Sequence, residues 1–363
     1  MSLTHQIALS LIKNVGDVTA KSLLAAFGSP EAVFAASREQ LLQVEGVGSI
    51  TASQILTTDA IHVAEEQLKF LEKYRIDVLF YTDDKYPQRL KHCHDAPVLL
   101  YYRGTADLNH PRIVSIVGTR KATPYGLMLC QQLAETLQAY DVLIVSGLAY
   151  GVDIAAHKQS LAFNIPTVGV LGHGLDRLYP AIHRSTANAM LKNGGLLTEF
   201  PLNTNPDKEN FPKRNRVIAG IADVTIVVEA ALKGGALITA ELAGSYDRDV
   251  FAFPGRTTDP FSEGCNFLIK TNRAGLICHP RDLAYYMGWE ATDPLREAVQ
   301  VEAKLALTAP ELKIVALLKT SSLRVDDLAL KAEIQQSKLA FVLLNLEMKG
   351  IVVSLPGNVY QLV

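Results

Sequence analysis

The sequence predicts a mixed α/β protein centred on a mostly parallel, doubly wound sheet, and three observations carry that expectation. From Ile113 onward, short runs rich in β-branched residues alternate with amphipathic stretches of helical length. Several of those runs end in glycine-rich turns, which places a row of such turns along one edge of the sheet. The chain has 363 residues, 48% of them apolar, enough for two or three domains with buried cores. In open sheets of this kind, ligands bind outside the carboxyl ends of the strands, so the turns are where function is expected.

The totals narrow the function classes. A formal charge of −2 argues against coating DNA by bulk charge, so any nucleic-acid contact must use a local patch. The four cysteines (Cys93, Cys130, Cys265, Cys278) lie far apart without a C-x-x-C pair, the pattern of a reduced, cytoplasmic protein. Adjacent His92-Cys93-His94 cannot all face one ion, and no second ligand group has metal-site spacing, so neither metal nor cofactor is expected. The apolar run Ile7–Ile12 is short and lacks a basic leader, and no run approaches membrane-spanning length.

Residues 1–75 read as short helices with an internal repeat. Leu9–Leu23 superposes on Leu41–Ile55, with Asn14-Val15-Gly16 on Gly46-Val47-Gly48, Ala20 on Ala52 and Leu23 on Ile55. This is a tandem helix-hairpin-helix pattern: a tight turn that needs Gly or Asn at positive φ, then a small residue where two helices approach closely. Lys13 and Lys21 flank the first turn and no cation flanks the second, which favours structure or protein contact over DNA contact. Ile76–Tyr81 and Pro97–Tyr102 are strand candidates in a lead-in segment, 76–112, that extends the sheet.

The core, 113–290, offers strands at Ile113–Val117, Val142–Val145, Thr167–Leu171, Gly195–Thr198, Val224–Val228 and Val250–Phe253, with helices at Tyr125–Ala139 and Ile154–Phe163. The first strand is followed by Gly118-Thr119-Arg120, the second by Ser146-Gly147 and Gly151, and the third by Gly172-His173-Gly174. Ahead of the fifth strand, Phe211-Pro212-Lys213-Arg214-Asn215-Arg216 packs three cations and a ring into what reads as a loop. After it, Lys233-Gly234-Gly235 opens a helix, where unpaired backbone N–H groups at the positive end of the dipole suit phosphate. None of these turns is the dinucleotide fingerprint, and no acidic residue ends the second strand, which argues against a nicotinamide enzyme. Asp153 and His157 share a helix face. With no nucleophile or second carboxylate beside them, helix capping by Asp153 and packing by His157 are favoured over acid/base work.

Residues 291–304 read as a charged linker. In 305–363, helices at Pro310–Lys319, Val325–Ala332 and Ser337–Lys349 precede strands Ile351–Leu355 and Val359–Val363, joined by the turn Pro356-Gly357-Asn358. This is a winged-helix outline. Its third helix carries only Lys338 and Lys349 as cations, so protein contact or regulation is favoured over reading DNA.

Several segments together are similar to one known family. VGTRKATPYG (Val117–Gly126), VSGLAYGVDIAAH (Val145–His157), GGLLTE (Gly194–Glu199), NFPKRNRVIAG (Asn210–Gly220), GGALITA (Gly234–Ala240) and VFAFPG (Val250–Gly255) resemble the DprA/Smf proteins of natural transformation, in order across the whole core. The resemblance implies an extended Rossmann-like, doubly wound, mostly parallel sheet. It implies an N-terminal helical domain of helix-hairpin-helix, SAM-like type and a C-terminal winged helix as well. It also implies binding of single-stranded DNA, a homodimer, delivery of the strand to the RecA recombinase, and no catalysis. Carried over to this chain, Arg120 and Lys208 would grip phosphates and Phe211 would stack on a base. Gly118, Thr119, Ser146, Gly147, Gly151, Lys233, Gly234 and Gly235 would line the edge, and Lys213, Arg214, Asn215 and Arg216 belong to the motif. The alternative role for the last three is to hold the loop and strands together. Ala181 stands where relatives often have a basic residue, which makes the groove less positive. The rival class is a nucleoside-monophosphate phosphoribohydrolase of the cytokinin-activating type. Its P-G-G-x-G-T-x-x-E signature is broken here by Lys233, Leu237 and a displaced Thr239, with Glu241 at the right distance.

Overall fold

The computed structural model describes residues 2–291, 307–318, 322–332, 334–349, 351–355 and 358–362. The expected linker lies outside these residues from position 292 on, as do Pro356 and Gly357 of the expected turn. The chain divides into two compact units, Met1–Glu290 and Ala291–Val363.

Among the described residues of the first unit, nine strands form one sheet: β1 (Asp77–Phe80), β2 (Leu99–Gly104), β3 (Ile113–Val117), β4 (Leu143–Ser146), β5 (Thr167–Val170), β6 (Gly194–Thr198), β7 (Val224–Val227), β8 (Asp249–Ala252) and β9 (Gly275–Leu276). Their order is β1-β2-β6-β5-β4-β3-β7-β8-β9. The lead-in strands β1 and β2 join antiparallel, through β2 on β6, and every other neighbouring pair is parallel. In β3, Ile113 and Val117 face one apolar core and Val114 and Ile116 the other. Burial on both faces is why these strands read as continuous apolar runs rather than alternating ones.

The segment expected to be a loop at Phe211–Arg216 is instead the first half of a helix, Asn210–Ile221. Pro212 fits there, because in the first turn of a helix its missing N–H would have had no partner in any case. Beyond it, Val217–Ile221 are all buried against the sheet.

The N-terminal helices Leu3–Leu11, Asp17–Phe27, Pro30–Ala35, Arg38–Leu42, Ser49–Thr57 and Ala60–Tyr74 share a core with Phe80, Val98, Leu99 and Tyr101 of the lead-in segment. The repeat has the geometry its residues require. Asn14 (φ 63°) and Gly46 (φ 83°) take the left-handed turn, and Ala20 and Ala52 are buried. The first hairpin is fastened to the central domain. Asp17 accepts hydrogen bonds from the Val98 N–H (2.8 Å) and from Arg216 (2.9 Å), while Lys21 donates to the His94 carbonyl (2.9 Å).

Among its described residues, the second unit has helices Ala309–Leu318, Val325–Ala332 and Gln336–Met348, with a three-stranded sheet of β10 (Leu323–Arg324), β12 (Val359–Leu362) and β11 (Val352–Leu355), in that order. It is a winged helix closed on its own core around Leu328, Leu339, Leu343 and Leu346. The two-residue strands β9 and β10 were not foreseen, being too short to show a period.

Candidate nucleic-acid interface

The strand order fixes where a ligand can enter. From β3 the chain winds through β4, β5 and β6 on one side, then returns to place β7 on the other side of β3. The loops leaving β3 and β7 therefore diverge and open a crevice, the switch point at which open α/β sheets bind ligands. A groove of about 830 Å³ lies there. Gly118, Thr119 and Arg120 come from the first loop, Lys233, Gly234 and Gly235 from the second. The helix Asn210–Ile221 contributes Phe211, Arg214 and Asn215, and Lys208 precedes it.

One end of the groove is the N-terminus of the helix Gly235–Ser245. Its cap residue Gly234 is extended (φ −175°) and offers no side chain to the first-turn N–H groups. A Cβ on Gly234 would meet nothing nearer than the Ala231 carbonyl at 3.9 Å, so the turn is open to an incoming group. Asn215 supports it from behind, donating from Nδ2 to the Gly235 carbonyl (3.3 Å). Open N–H groups on a positive helix end, beside exposed Lys233, make an anion-receptive corner.

The other end is built on Phe211. Its half-buried ring rests against Gly172, where a Cβ would stand 3.1 Å from Cδ1, and Tyr179 lies 6.2 Å away at 42°. Two guanidinium groups approach the ring, Arg120 at 5.2 Å and Arg214 at 5.9 Å. Arg120 and Lys208 are exposed, and neither side chain has a hydrogen bond or ion pair to any described residue. They are free to meet a phosphate.

Other residues of the expected site are committed elsewhere. Arg214 is buried and donates to the carbonyls of Gly147 and Val170 and to Asn215 (3.2 Å), tying the ends of β4 and β5 to the helix. Burial lowers its pKa to about 10, with Asp153 opposing the shift, and it stays charged at neutral pH. Arg216 points away from the groove to Asp17, Glu199 and the Asp95 carbonyl. The alternative weighed for both arginines, that they hold the structure together, is therefore the one the geometry supports. Ser146 is buried and donates to the Ile116 carbonyl (2.6 Å). Gly147 is glycine because Arg214 and Asp153 crowd it, and Gly151, at φ 77°, packs against the main chain of Thr119 and Arg120. The Thr119 N–H is already donated to the Glu229 carbonyl (2.7 Å). Ser146, Gly151, Lys213 and Arg216 do not line the groove, and Lys213 is exposed on the outer side of its helix. Several of these glycines thus permit close packing rather than close approach of a ligand.

Asp153 accepts from the Ala149 N–H (3.4 Å), and burial raises its pKa against the pull of Arg214. It braces the loop and does not act as the cap, which is Gly151. His157 is fully buried with Nδ1 at 2.7 Å from the Thr167 hydroxyl, and burial depresses its pKa to about 3. It is a neutral packing residue. The groove lining also includes Lys121 and Tyr179, which the sequence did not single out as site residues. The first was legible as the cation after Arg120; the second became a wall only when the helix brought Phe211 beside it.

Fold and groove define a doubly wound α/β protein with a cationic, ring-bearing cleft at its switch point. Residues 77–288 match the family model described as DNA recombination-mediator protein A, residues 7–58 a SAM-like helix-hairpin-helix tandem, and residues 299–358 the DprA winged helix domain. The chain belongs to the DprA/Smf family of DNA-processing, recombination-mediator proteins. It is 35% identical to protein Smf of Escherichia coli over 304 residues, 82% of this chain and 80% of the relative. The X-ray structure of DNA processing protein A from Streptococcus pneumoniae superposes with a TM-score of 0.69 at 30% identity, covering 80% of this chain and 99% of that one. A structure of DNA processing protein A from Helicobacter pylori, described as giving insight into its single-stranded DNA binding mode, gives a TM-score of 0.54 at 31% identity. It covers 59% of this chain and 95% of its own.

Proposed function

We propose that this chain binds single-stranded DNA in the switch-point groove without catalysing a reaction on it. As the family resemblance implies, it would act as a cytoplasmic homodimer that passes the strand to RecA during transformation. The observation that carries the DNA reading is the pairing of two uncommitted cations, Arg120 and Lys208, with an open helix N-terminus and the ring of Phe211. Sequence-independent single-strand binding uses such parts: a cationic track for the backbone and ring faces for bases, worth roughly 1–3 kcal/mol per stacked base. The relative from Helicobacter pylori, whose structure addresses its single-stranded DNA binding mode, superposes on 59% of this chain.

The hydrolase reading loses its best residue. Glu241 pairs with Arg273 (2.6 Å), half-exposed and off the groove lining. The test is a short oligonucleotide with duplex competitor, and AMP in parallel. Duplex of equal length should displace little of the bound strand. Affinity should fall with salt at a log–log slope of roughly −2 to −3, for three or four phosphates neutralised at about 0.7 each. Equal competition by duplex, a flat salt response, or free base released from AMP would each overturn the reading.

The winged helix is assigned to protein contact. Its third helix, Gln336–Met348, exposes Phe341 (66%), Leu344 and Met348 (80%), and Lys349 is held by Glu311 (2.7 Å). Removing residues 305–363 should leave oligonucleotide affinity within a few fold; a hundredfold loss would move DNA binding to that unit.

A further inference from the structure

We propose that the bound strand does not end in the switch-point groove but continues over the end of β8 into a second groove, held there by Arg256 and Tyr125. This rests on the single-strand reading above and adds a subsite to it. A cavity of about 780 Å³ opens beside the loop that follows β8, with Tyr125, Pro254, Arg256 and Thr258 in its wall. β8 pairs with β7 and β7 with β3, so the loops leaving these three strands stand in a row on one edge of the sheet. At about 5 Å per strand, the loop after β8 is roughly 10 Å from the loop that carries Arg120.

The two grooves share a wall. Phe261 lines the first, while its neighbour Ser262 lines the second. The Phe261 carbonyl accepts from the Ala230 N–H (2.7 Å), which anchors this loop to the one leaving β7. The wall of the second groove is braced by its own hydrogen bonds. Asn266 accepts from the Gly255 N–H (3.2 Å) and donates back to its carbonyl (3.0 Å). Asp259 is the carboxylate in the wall, and it is turned into its own loop by the Phe261 N–H (3.0 Å) and the Ser262 hydroxyl (2.9 Å).

What then faces the cavity repeats the chemistry of the first groove. Arg256 is exposed, and its guanidinium has no hydrogen bond or ion pair to any described residue. Tyr125 leaves 40% of its surface open while its hydroxyl is pinned to the Pro254 carbonyl (3.2 Å), so the ring is held in place. Lys121, exposed in the first groove, stands four residues before Tyr125 in the chain. A cation beside a fixed ring, met twice along one edge, is what a strand of several nucleotides needs and a single phosphate does not.

The experiment compares oligothymidylates of about four and about sixteen nucleotides, the span over which single-strand site sizes vary, on the full chain. The parent should bind the long strand more tightly. Arg256→Ala and, separately, Arg256→Glu should raise the Kd of the long strand about three- to tenfold and leave the short strand unchanged. Arg256→Ala should also make the long-strand salt slope shallower by about 0.7. Tyr125→Leu should weaken the long strand alone with its slope kept, and its melting curve reports whether the ring was only structural. If the Arg256 variants bind both strands like the parent while Arg120→Ala weakens both, the second groove is wrong and the first stands. If Arg120→Ala changes neither, the single-strand reading itself has failed.

Discussion

Arg120 and Arg214 approach the same phenyl ring from two regions with opposite fates. Arg120 sits on the exposed loop after β3, 5.2 Å from the Phe211 ring, and keeps its donors free. Arg214 sits on the buried helix Asn210–Ile221, 5.9 Å from the same ring, and gives its donors to the carbonyls of Gly147 and Val170. One guanidinium is available to a ligand and the other is part of the frame that aims the first. Charge counted along a sequence is therefore not charge offered to a partner. The densest cationic segment of the chain supplies less free charge to the groove than the sparse loops around it.

That contrast should be most visible in stability. Arg214→Ala leaves two strand-end carbonyls and Asp153 without their buried counterpart, and such losses cost about 3–5 kcal/mol. For a unit of this size that is a fall in melting temperature of roughly 6–20 °C. Arg120→Ala should melt within a degree or two of the parent, because an exposed side chain with no protein hydrogen bond holds nothing up. Equal melts for the two variants would erase the distinction.

Acid should find the buried side of the comparison next. His157 is pushed from the ordinary 6.5 to about 3, by burial first and by the Arg214 charge second. Between these values the unfolded chain takes up a proton that the folded chain refuses. This contribution to stability is complete above pH 6.5 and declines as pH falls toward 3. The slope is up to about 1.4 kcal/mol per pH unit, or about 2 kcal/mol by pH 5. Denaturant unfolding at pH 7 and pH 5 measures it, and His157→Gln should lose less on acidification than the parent. An unchanged loss would mean that His157 is solvated.

Most of the frame was legible in the sequence, and the reasons are physical. Strands buried on both faces leave continuous β-branched runs, so β3 through β8 were placed to within a residue or two at each end. The hairpin repeat was legible because Gly and Asn take most readily the positive φ found at positions 14 and 46. The groove lining was legible in outline, whereas Ser146, Gly147, Gly151, Lys213 and Arg216 lie off it. A glycine demanded by packing, such as Gly147 under Arg214, looks the same in one dimension as a glycine at an open helix N-terminus, such as Gly234. Likewise the Arg216 contacts to Asp17 and Glu199 join residues 199 and 17 positions apart, and no local pattern announces them.

On the exposed side, Arg120→Ala should weaken single-strand binding roughly ten- to a hundredfold. A charge-assisted contact contributes about 1.5–3 kcal/mol, at about 1.4 kcal/mol per decade. The salt slope should become shallower by about 0.7. Arg214→Lys, measured at a temperature where it stays folded, should keep the parent's slope, since its charge is not offered to the strand. A slope that changes equally in both variants would place Arg214 among the phosphate contacts after all.

The smallest effect is the most specific. If charge and ring acted independently, the costs of Arg120→Ala and Phe211→Ala would add. The 5.2 Å approach of Arg120 to the Phe211 ring says they do not: the ring orients the guanidinium before any strand arrives, through a contact worth about 0.5–1 kcal/mol at an exposed site. Phe211→Ala should then lose its stacked base and also loosen Arg120, so that removing Arg120 afterwards costs less than it does in the parent. A double-mutant cycle on oligonucleotide affinity should return a coupling of about 0.5–1 kcal/mol, with the double variant better than the sum of the singles. Phe211→Ala should shift the salt slope only slightly, because stacking releases no counterions and the loosened arginine still reaches phosphate part of the time. Additivity to within about 0.3 kcal/mol would show that ring and guanidinium are neighbours without being partners. In that case the open end of the groove would be set by the loop after β3 alone.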